Sequence, residues 1–227
     1  MDDGSSRVGR RAHVRRVRIA IGVAALAGLG VAGCSGGGDS SSSKPTTTVS
    51  HGTHLDLRLG DVSAASAGPA LTVSSDQSQR VLDVLDAYVK DATVQPLRSG
   101  KPTTADLSTV FDATTLTPAT TTDRGVVLDE GLPKVTGDLD IVSSPIALVG
   151  LGDQGGNLTL ISAAFLVDVK GQTAIKGDLL HIVRQADLVL APAGFGAWRV
   201  TSYNMIVTRD GAGLSPTTTT TTTGPAK

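Results

Sequence analysis

The spacing of apolar and polar residues predicts helices in the first part of the central region and strands in the second. Ser74 and Gln77 form a capping-box sequence at the start of the clearest helical repeat, and Pro96 is expected to end it. The apolar residues of this repeat recur three or four positions apart: Val81, Leu82, Leu85, Tyr88, Val89 and Ala92. We therefore predict one amphipathic helix between Ser74 and Pro96.

Shorter elements surround this helix. Residues 55–59 alternate apolar and charged side chains, which predicts a half-buried strand. A second short helix is predicted from Thr104, and a helical turn between Thr122 and Glu130. The first half of the central region is therefore expected to be mainly helical.

From residue 139 onwards, segments rich in Val, Ile and Leu alternate with glycine-rich turns. They predict four strands, at residues 139–151, 158–169, 179–190 and 198–209. Parallel pairing would require connections of a dozen or more residues, and the turns here are shorter. We therefore expect an antiparallel meander.

The order of these elements, together with the last strand, resembles a known family. The segment Gly196–Tyr203, with the sequence GAWRVTSY, resembles the final strand of the NTF2-like superfamily, also called the cystatin-like α+β cone. The resemblance covers about residues 70–210. It implies an α+β fold, with the N-terminal amphipathic helix and short helices packed on a curved four-stranded antiparallel meander. Such cones enclose a cavity and serve as binding or dimerisation modules, or as enzymes such as ketosteroid isomerase and dehydratases.

The N-terminal region has the parts of a secretory signal peptide. The first 18 residues carry six arginines, and an uncharged run follows from Ile19 to Gly33. Those 15 residues would span roughly 22 Å as a helix, whereas the hydrocarbon core of a bilayer is about 30 Å thick. A basic start, a short apolar run and small residues before a cleavage site indicate export from the cytoplasm.

The end of this run, Val31-Ala32-Gly33-Cys34, resembles the lipobox of bacterial lipoproteins. The resemblance implies that a diacylglyceryl group is joined to the Cys34 sulfur and that cleavage follows between Gly33 and Cys34. Two acyl chains, such as palmitate, make a stable anchor, so the mature protein is expected on the extracytoplasmic face of the cell membrane. The alternative is an ordinary secretory signal with an incidental cysteine.

Low-complexity segments flank the central region. Gly, Ser and Thr dominate after Cys34, and seven consecutive threonines precede the C-terminus. Such segments have too little apolar surface to offset the entropy of the chain, so we predict disorder on both sides. The predicted organisation is a signal peptide at 1–33, a flexible tether at 34–53, one domain at 54–212 and a disordered tail at 213–227.

Charge and cysteine content exclude several classes of function. The 20 basic and 21 acidic residues leave a formal charge of −1, which gives no basic footprint for nucleic acid. Removing residues 1–33 leaves 14 basic and 19 acidic residues, a net charge of −5. One cysteine forms neither an intrachain disulfide nor a cysteine-based zinc site. The expected partners are the membrane through Cys34 and either an envelope protein or an apolar small molecule.

A few side chains could carry chemistry in a cone cavity. Asp168 and His181 each interrupt an apolar run, and Tyr203 lies in the last strand, as a carboxylate base and hydrogen-bond donors of an isomerase would. A position on the solvent face, or for Tyr203 in the core, explains them equally well. His51 and His54 lack a third ligand nearby, so no metal site is predicted, and no motif indicates a cofactor. We therefore expect a non-enzymatic binding module, with a small isomerase or dehydratase as the alternative.

Overall fold

The computed structural model of this chain describes residues 52–175 and 178–223, which belong to one compact unit. The predicted signal peptide, the lipobox with Gly33 and Cys34, and most of the predicted tether lie outside the described residues. His51 and the last four residues, 224–227, lie outside them as well. The first strand begins at Thr53, one residue before the predicted start of the domain.

The described residues form one mixed sheet of eight strands. The strands are β1 (Thr53–Asp56), β2 (Leu59–Ser66), β3 (Val135–Ser143), β4 (Ile146–Gly152), β5 (Leu158–Thr173), β6 (Leu179–Pro192), β7 (Trp198–Gly211) and β8 (Leu214–Thr223). They lie in the order β1-β3-β5-β6-β7-β8, and β4 pairs with both β2 and β5. The pairs from β3 and β4 through β8 are antiparallel, whereas β1 runs parallel to β3 and β2 runs parallel to β4.

The helices lie in the connection between β2 and β3. They are α1 (Ser75–Val89), a π-helix (Lys90–Val94), α2 (Gln95–Ser99), a 3₁₀ turn (Leu107–Thr109), α3 (Ala113–Thr120) and α4 (Arg124–Val127). A parallel strand pair requires a long crossover, and this helical layer supplies it. None of the helices in the described part of the chain is long and apolar enough to cross a bilayer.

The predicted four-stranded antiparallel meander is wrong in strand number and in pairing. Three of the predicted strands are present as β5, β6 and β7, but the predicted strand 139–151 is divided into β3 and β4 at Ser144-Pro145. Proline has no N–H to donate to a strand ladder, so the ladder breaks there. The short strand predicted at 55–59 is two strands, which add parallel pairs to the sheet.

The disordered tail predicted at 213–227 is also wrong over most of its length. Residues 214–223 form β8, paired with β7 from Tyr203 to Gly211. The Thr208 and Thr218 hydroxyls are 3.1 Å apart, and Thr222 Oγ1 donates to Asn204 Oδ1 at 2.9 Å. Threonine is a good strand residue when a partner edge exists, and β7 provides that edge.

The predicted amphipathic helix is present. The Ser74 hydroxyl accepts from the Gln77 N–H, and the Gln77 side chain accepts from the Ser74 N–H, so the capping box is complete. The helical chain does not end at Pro96, however, because Pro96 lies in the first turn of α2, where no N–H is needed. It ends at Gly100, which has a left-handed φ of +66°.

The two faces of the sheet differ in what covers them. The inner face packs against α1 and contains alternate residues of β6 such as Ile182, Arg184 and Leu188, which are all buried. The outer face contains the residues between them, such as His181 and Asp187, and remains open to solvent. The largest buried side chains of the inner layer include Tyr88, Phe111, Tyr203, Leu85 and Leu97. These side chains fill the space where the cone resemblance predicts a cavity.

Candidate functional site

Asp168 and His181, two of the predicted site residues, meet on the outer face. In the β5–β6 register Lys170 lies opposite His181, so Asp168, two residues earlier on the same face of β5, is the diagonal neighbour of His181. His181 Nε2 lies 2.9 Å from Asp168 Oδ1. Lys170 Nζ is 3.0 Å from the other oxygen of the same carboxylate. His181 Nδ1 lies 3.6 Å from Asp210 Oδ1 on β7. The four side chains form a polar network that is about one-third to one-half exposed.

Tyr203, the third predicted residue, lies on the inner face and is 1% exposed. Its hydroxyl donates to Asp123 Oδ2 at 2.9 Å, and Thr223 Oγ1 on β8 donates to the same oxygen at 3.1 Å. Burial raises the pKa of Tyr203 above its ordinary value. The sheet therefore separates Tyr203 from Asp168 and His181, so the three do not form the converging set that an isomerase or dehydratase requires.

A buried polar cluster on the inner face was not predicted. Arg184 on β6 and Arg209 on β7 both point to Asp129, which follows α4 and is completely buried. Arg184 Nη2 is 2.8 Å from Asp129 Oδ2, and Arg209 donates to Asp129 Oδ1 through Nη2 at 2.7 Å and Nε at 3.0 Å. Thr93 Oγ1 of the π-helix donates to Asp129 Oδ2 at 2.6 Å. We call these four residues the Asp129 cluster.

The π-helix and the neighbouring loop position this cluster. The Asp129 N–H donates to the Ala92 carbonyl at 2.8 Å, which fixes the loop against the π-helix. Arg209 Nη1 donates to the Gly125 carbonyl at 2.9 Å, and its Nη2 to the Leu128 carbonyl at 3.2 Å. The cluster therefore connects the sheet to α4 and to the π-helix.

The electrostatics of the cluster are those of a closed structural site. Two guanidinium groups share one carboxylate, and Arg184 Nε has no partner among the described residues. Burial opposes the charge of Arg184, but Asp129 and Tyr88 raise the Arg184 pKa above its ordinary value. The Arg184 guanidinium also lies 5.4 Å from the centre of the Tyr88 ring, and burial raises the pKa of Tyr88 to about 12. Because Asp129 is sealed from solvent and each of its partners comes from a different part of the fold, we assign the cluster a structural role.

The outer face carries two adjoining grooves centred on Leu166. One has a volume of about 430 Å³ and the other about 290 Å³, and both are lined by Ser144 and Leu166. Ser144 lies at the break between β3 and β4, where its N–H donates to the Leu166 carbonyl at 2.8 Å and its Oγ accepts from the Leu166 N–H at 3.1 Å. We call this feature the Leu166 groove. Its other lining residues are Asp140, Val142, Ser143, Ala164, Phe165, Asp168, Lys170, Gln185 and Asp187.

Metal ligands do not converge in the part of the chain that the structure describes. His54 lies on β1, and its Nδ1 is 3.0 Å from Asp140 Oδ1. No group of three or more His, Cys, Asp or Glu side chains within residues 52–175 and 178–223 is arranged to hold a metal ion.

Comparisons with known proteins identify no relative. No protein-family model, curated protein or solved structure matches this chain. The resemblance to the NTF2-like superfamily therefore stays a prediction, and function has to be argued from the sequence and the geometry of the sites.

Proposed function

We propose that this protein is a lipoprotein, anchored to the extracytoplasmic face of the cell membrane through Cys34, whose domain is a non-enzymatic module that binds an envelope protein. The observation that carries the anchor is the sequence Val31-Ala32-Gly33-Cys34 directly after a basic segment and a short apolar run. Two acyl chains on one cysteine give a stable anchor, whereas a single chain is marginal. The chain that begins at Cys34 has a net charge of −5, so its overall charge does not attract it to an anionic membrane and attachment relies on the lipid.

Substituting Cys34→Ala is expected to abolish lipidation. The variant lacks the thiol that forms the thioether, so it remains a precursor that retains residues 1–33 or leaves the membrane fraction. Mass spectrometry of the intact protein measures this directly, because the wild-type chain should begin at Cys34 and carry the added acyl mass. Ser35→Ala, which changes the neighbouring residue, should behave as the wild type. Identical mass and membrane retention in wild type and Cys34→Ala would refute the anchor.

The Leu166 groove supports the binding part of the proposal. Leu166, at the centre of the groove, is 38% exposed. Four aspartates occupy the surrounding outer face: Asp140, Asp168, Asp187 and Asp210. Lys170 is already paired with Asp168, and Asp187 has no ion pair among the described residues. An apolar centre with an acidic rim complements a protein surface that has an apolar residue surrounded by Lys or Arg.

Site-specific photo-crosslinking in intact cells tests this surface. A photoreactive side chain at Leu166 is expected to give a protein adduct several-fold more abundant than one at Val62, which is 39% exposed but lies on β2 outside the groove. Replacing Asp168 and Asp187 by Asn should lower the yield at Leu166, because the acidic rim contributes to recognition. Equal yields at positions 166 and 62 would contradict a docking role for the groove.

A further inference from the structure

The hairpin between β6 and β7 ends in an uncharged, mainly apolar tip. Residues 192–197, with the sequence PAGFGA, are exposed or half-buried. Phe195 at the apex has a completely exposed side chain. The other five aromatic side chains of the protein are at most 5% exposed. Phe195 thus tops an exposed apolar tip, and exposed apolar patches mark sites of contact with a protein or a membrane.

The backbone of the tip does not require an aromatic residue. Gly194, Phe195 and Gly196 have φ values of +79°, +48° and +75°, so Phe195 adopts a left-handed conformation that is uncommon for bulky residues. The hairpin between β7 and β8 contains the same succession, with φ values of +79°, +50° and +75° at Gly211, Ala212 and Gly213. In that hairpin the central residue is a small alanine, which is 6% exposed. Phe195 therefore stabilises neither the turn nor the core.

The tip is held in place before any contact is made. Ala193 and Ala197 are joined by a hydrogen bond of 2.9 Å from the Ala193 N–H to the Ala197 carbonyl. Arg80 of α1 donates to the Gly196 carbonyl at 2.8 Å, which fixes the hairpin against the helix. A preformed tip loses little conformational entropy on binding.

Two arginines lie at the base of the tip. Arg80 and Arg199 both line the groove of about 340 Å³ between α1 and the hairpin, where Asp83 is the acidic residue. Arg199 is kept close by a 2.9 Å hydrogen bond from Nη1 to the Thr109 carbonyl. Guanidinium groups suit phosphate because they donate two parallel hydrogen bonds. Phe195 and the two arginines line the same groove, a combination that suits the boundary of a membrane, where acyl chains adjoin phosphates.

We propose that the β6–β7 hairpin tip inserts Phe195 at the boundary between headgroups and acyl chains of a phospholipid membrane, while Arg80 and Arg199 face anionic headgroups. The contact orients a protein that its anchor already holds at the membrane. Thr53 enters the sheet beside Leu139, at the end opposite to the tip. The 14 residues of β6 span about 46 Å. The 19 residues from Cys34 to Gly52 reach about 60 Å when extended, so the chain is long enough for both contacts.

A fluorescent label at the tip tests the proposal in the full chain isolated from membranes. In Phe195→Cys the new thiol is the only reactive one when Cys34 carries its lipid, since the chain has no other cysteine. It is labelled with an environment-sensitive nitrobenzoxadiazole group, and the protein is reconstituted in vesicles of phosphatidylcholine and phosphatidylglycerol that contain a spin-labelled lipid. Ile175→Cys is the matched control, because Ile175 is 50% exposed in the hairpin at the opposite end of the sheet.

The label at position 195 is expected to shift its emission to shorter wavelength and to be quenched by the spin-labelled lipid at least threefold more than the label at position 175. Quenching should fall when phosphatidylglycerol is omitted, because the arginines then lose their anionic partners. Equal quenching at the two positions overturns the proposal, and so does a blue shift without lipid quenching, which indicates a protein pocket. If the chain carries no lipid on Cys34, the anchor is refuted, and the same comparison with Cys34 replaced by Ser and with added vesicles still decides the role of the tip.

Discussion

Replacing Asp129 by Asn is expected to lower the free energy of unfolding by about 3–5 kcal/mol, as removal of one partner of a buried ion pair does. Asparagine keeps the shape of the side chain and one accepting oxygen, so the main change is the loss of charge. Arg184 and Arg209 then remain buried without a counter-ion, since Asp129 is the carboxylate that both contact. Domains of this kind have a total stability of only about 5–15 kcal/mol, so this loss is a large part of it.

Urea unfolding followed by the fluorescence of Trp198 measures this loss, because Trp198 is the single tryptophan and is 5% exposed. Asp187→Asn is the control: it removes an exposed carboxylate without an ion pair among the described residues and should change stability by less than about 0.5 kcal/mol. Thr93→Val, which removes one hydrogen bond to the same carboxylate, should cost about 1–3 kcal/mol and keeps the test available if Asp129→Asn does not fold. A loss below about 1 kcal/mol for Asp129→Asn would contradict this account of the cluster.

Elements that depend on neighbouring residues could be predicted from the sequence. The capping box at Ser74 and the spacing of apolar residues specify α1, and alternating apolar runs between glycine-rich turns specify β5, β6 and β7. Strand β8 could not be predicted in this way, because a run of threonines has no apolar alternation and becomes a strand only through its pairing with β7. The parallel partners of β1 and β2 are equally non-local, since they lie more than 80 residues along the chain.

The candidate site could be predicted only in part, again because contacts between strands depend on residues that are distant in the sequence. Asp168 and His181 stood out because each interrupts an apolar run, but their contact depends on the β5–β6 register. For Tyr203, which has the polar neighbours Ser202 and Asn204, the sequence left a cavity and a core position open, and the structure shows the core position. Arg184 lies two residues after Ile182 and four before Leu188, so it shares their face of β6. This spacing was the available signal for the buried cluster.

Gly211→Ala is expected to be the second strongly destabilising substitution, with a loss of about 2–5 kcal/mol. Gly211 has a φ of +79°, where a Cβ atom costs roughly 1–2 kcal/mol. A Cβ atom at this position would also lie 2.0 Å from the Leu179 carbonyl oxygen. Leu179 is backbone of β6 beside the last pair of the β6–β7 ladder, Leu180 with Gly211, so relief requires the strands to move apart. Forcing such a contact adds about 1–3 kcal/mol.

Gly213→Ala separates the two costs. Gly213 has nearly the same φ, +75°, but a Cβ atom there meets nothing within 4 Å, so we expect only the conformational loss of about 1–2 kcal/mol. Urea unfolding of the two variants under identical conditions should therefore differ by about 2 kcal/mol, the contribution of the steric contact. Equal losses would mean that the backbone conformation alone makes glycine necessary at both positions. In that case the close approach of β6 to Gly211 would not limit the residue at this hairpin.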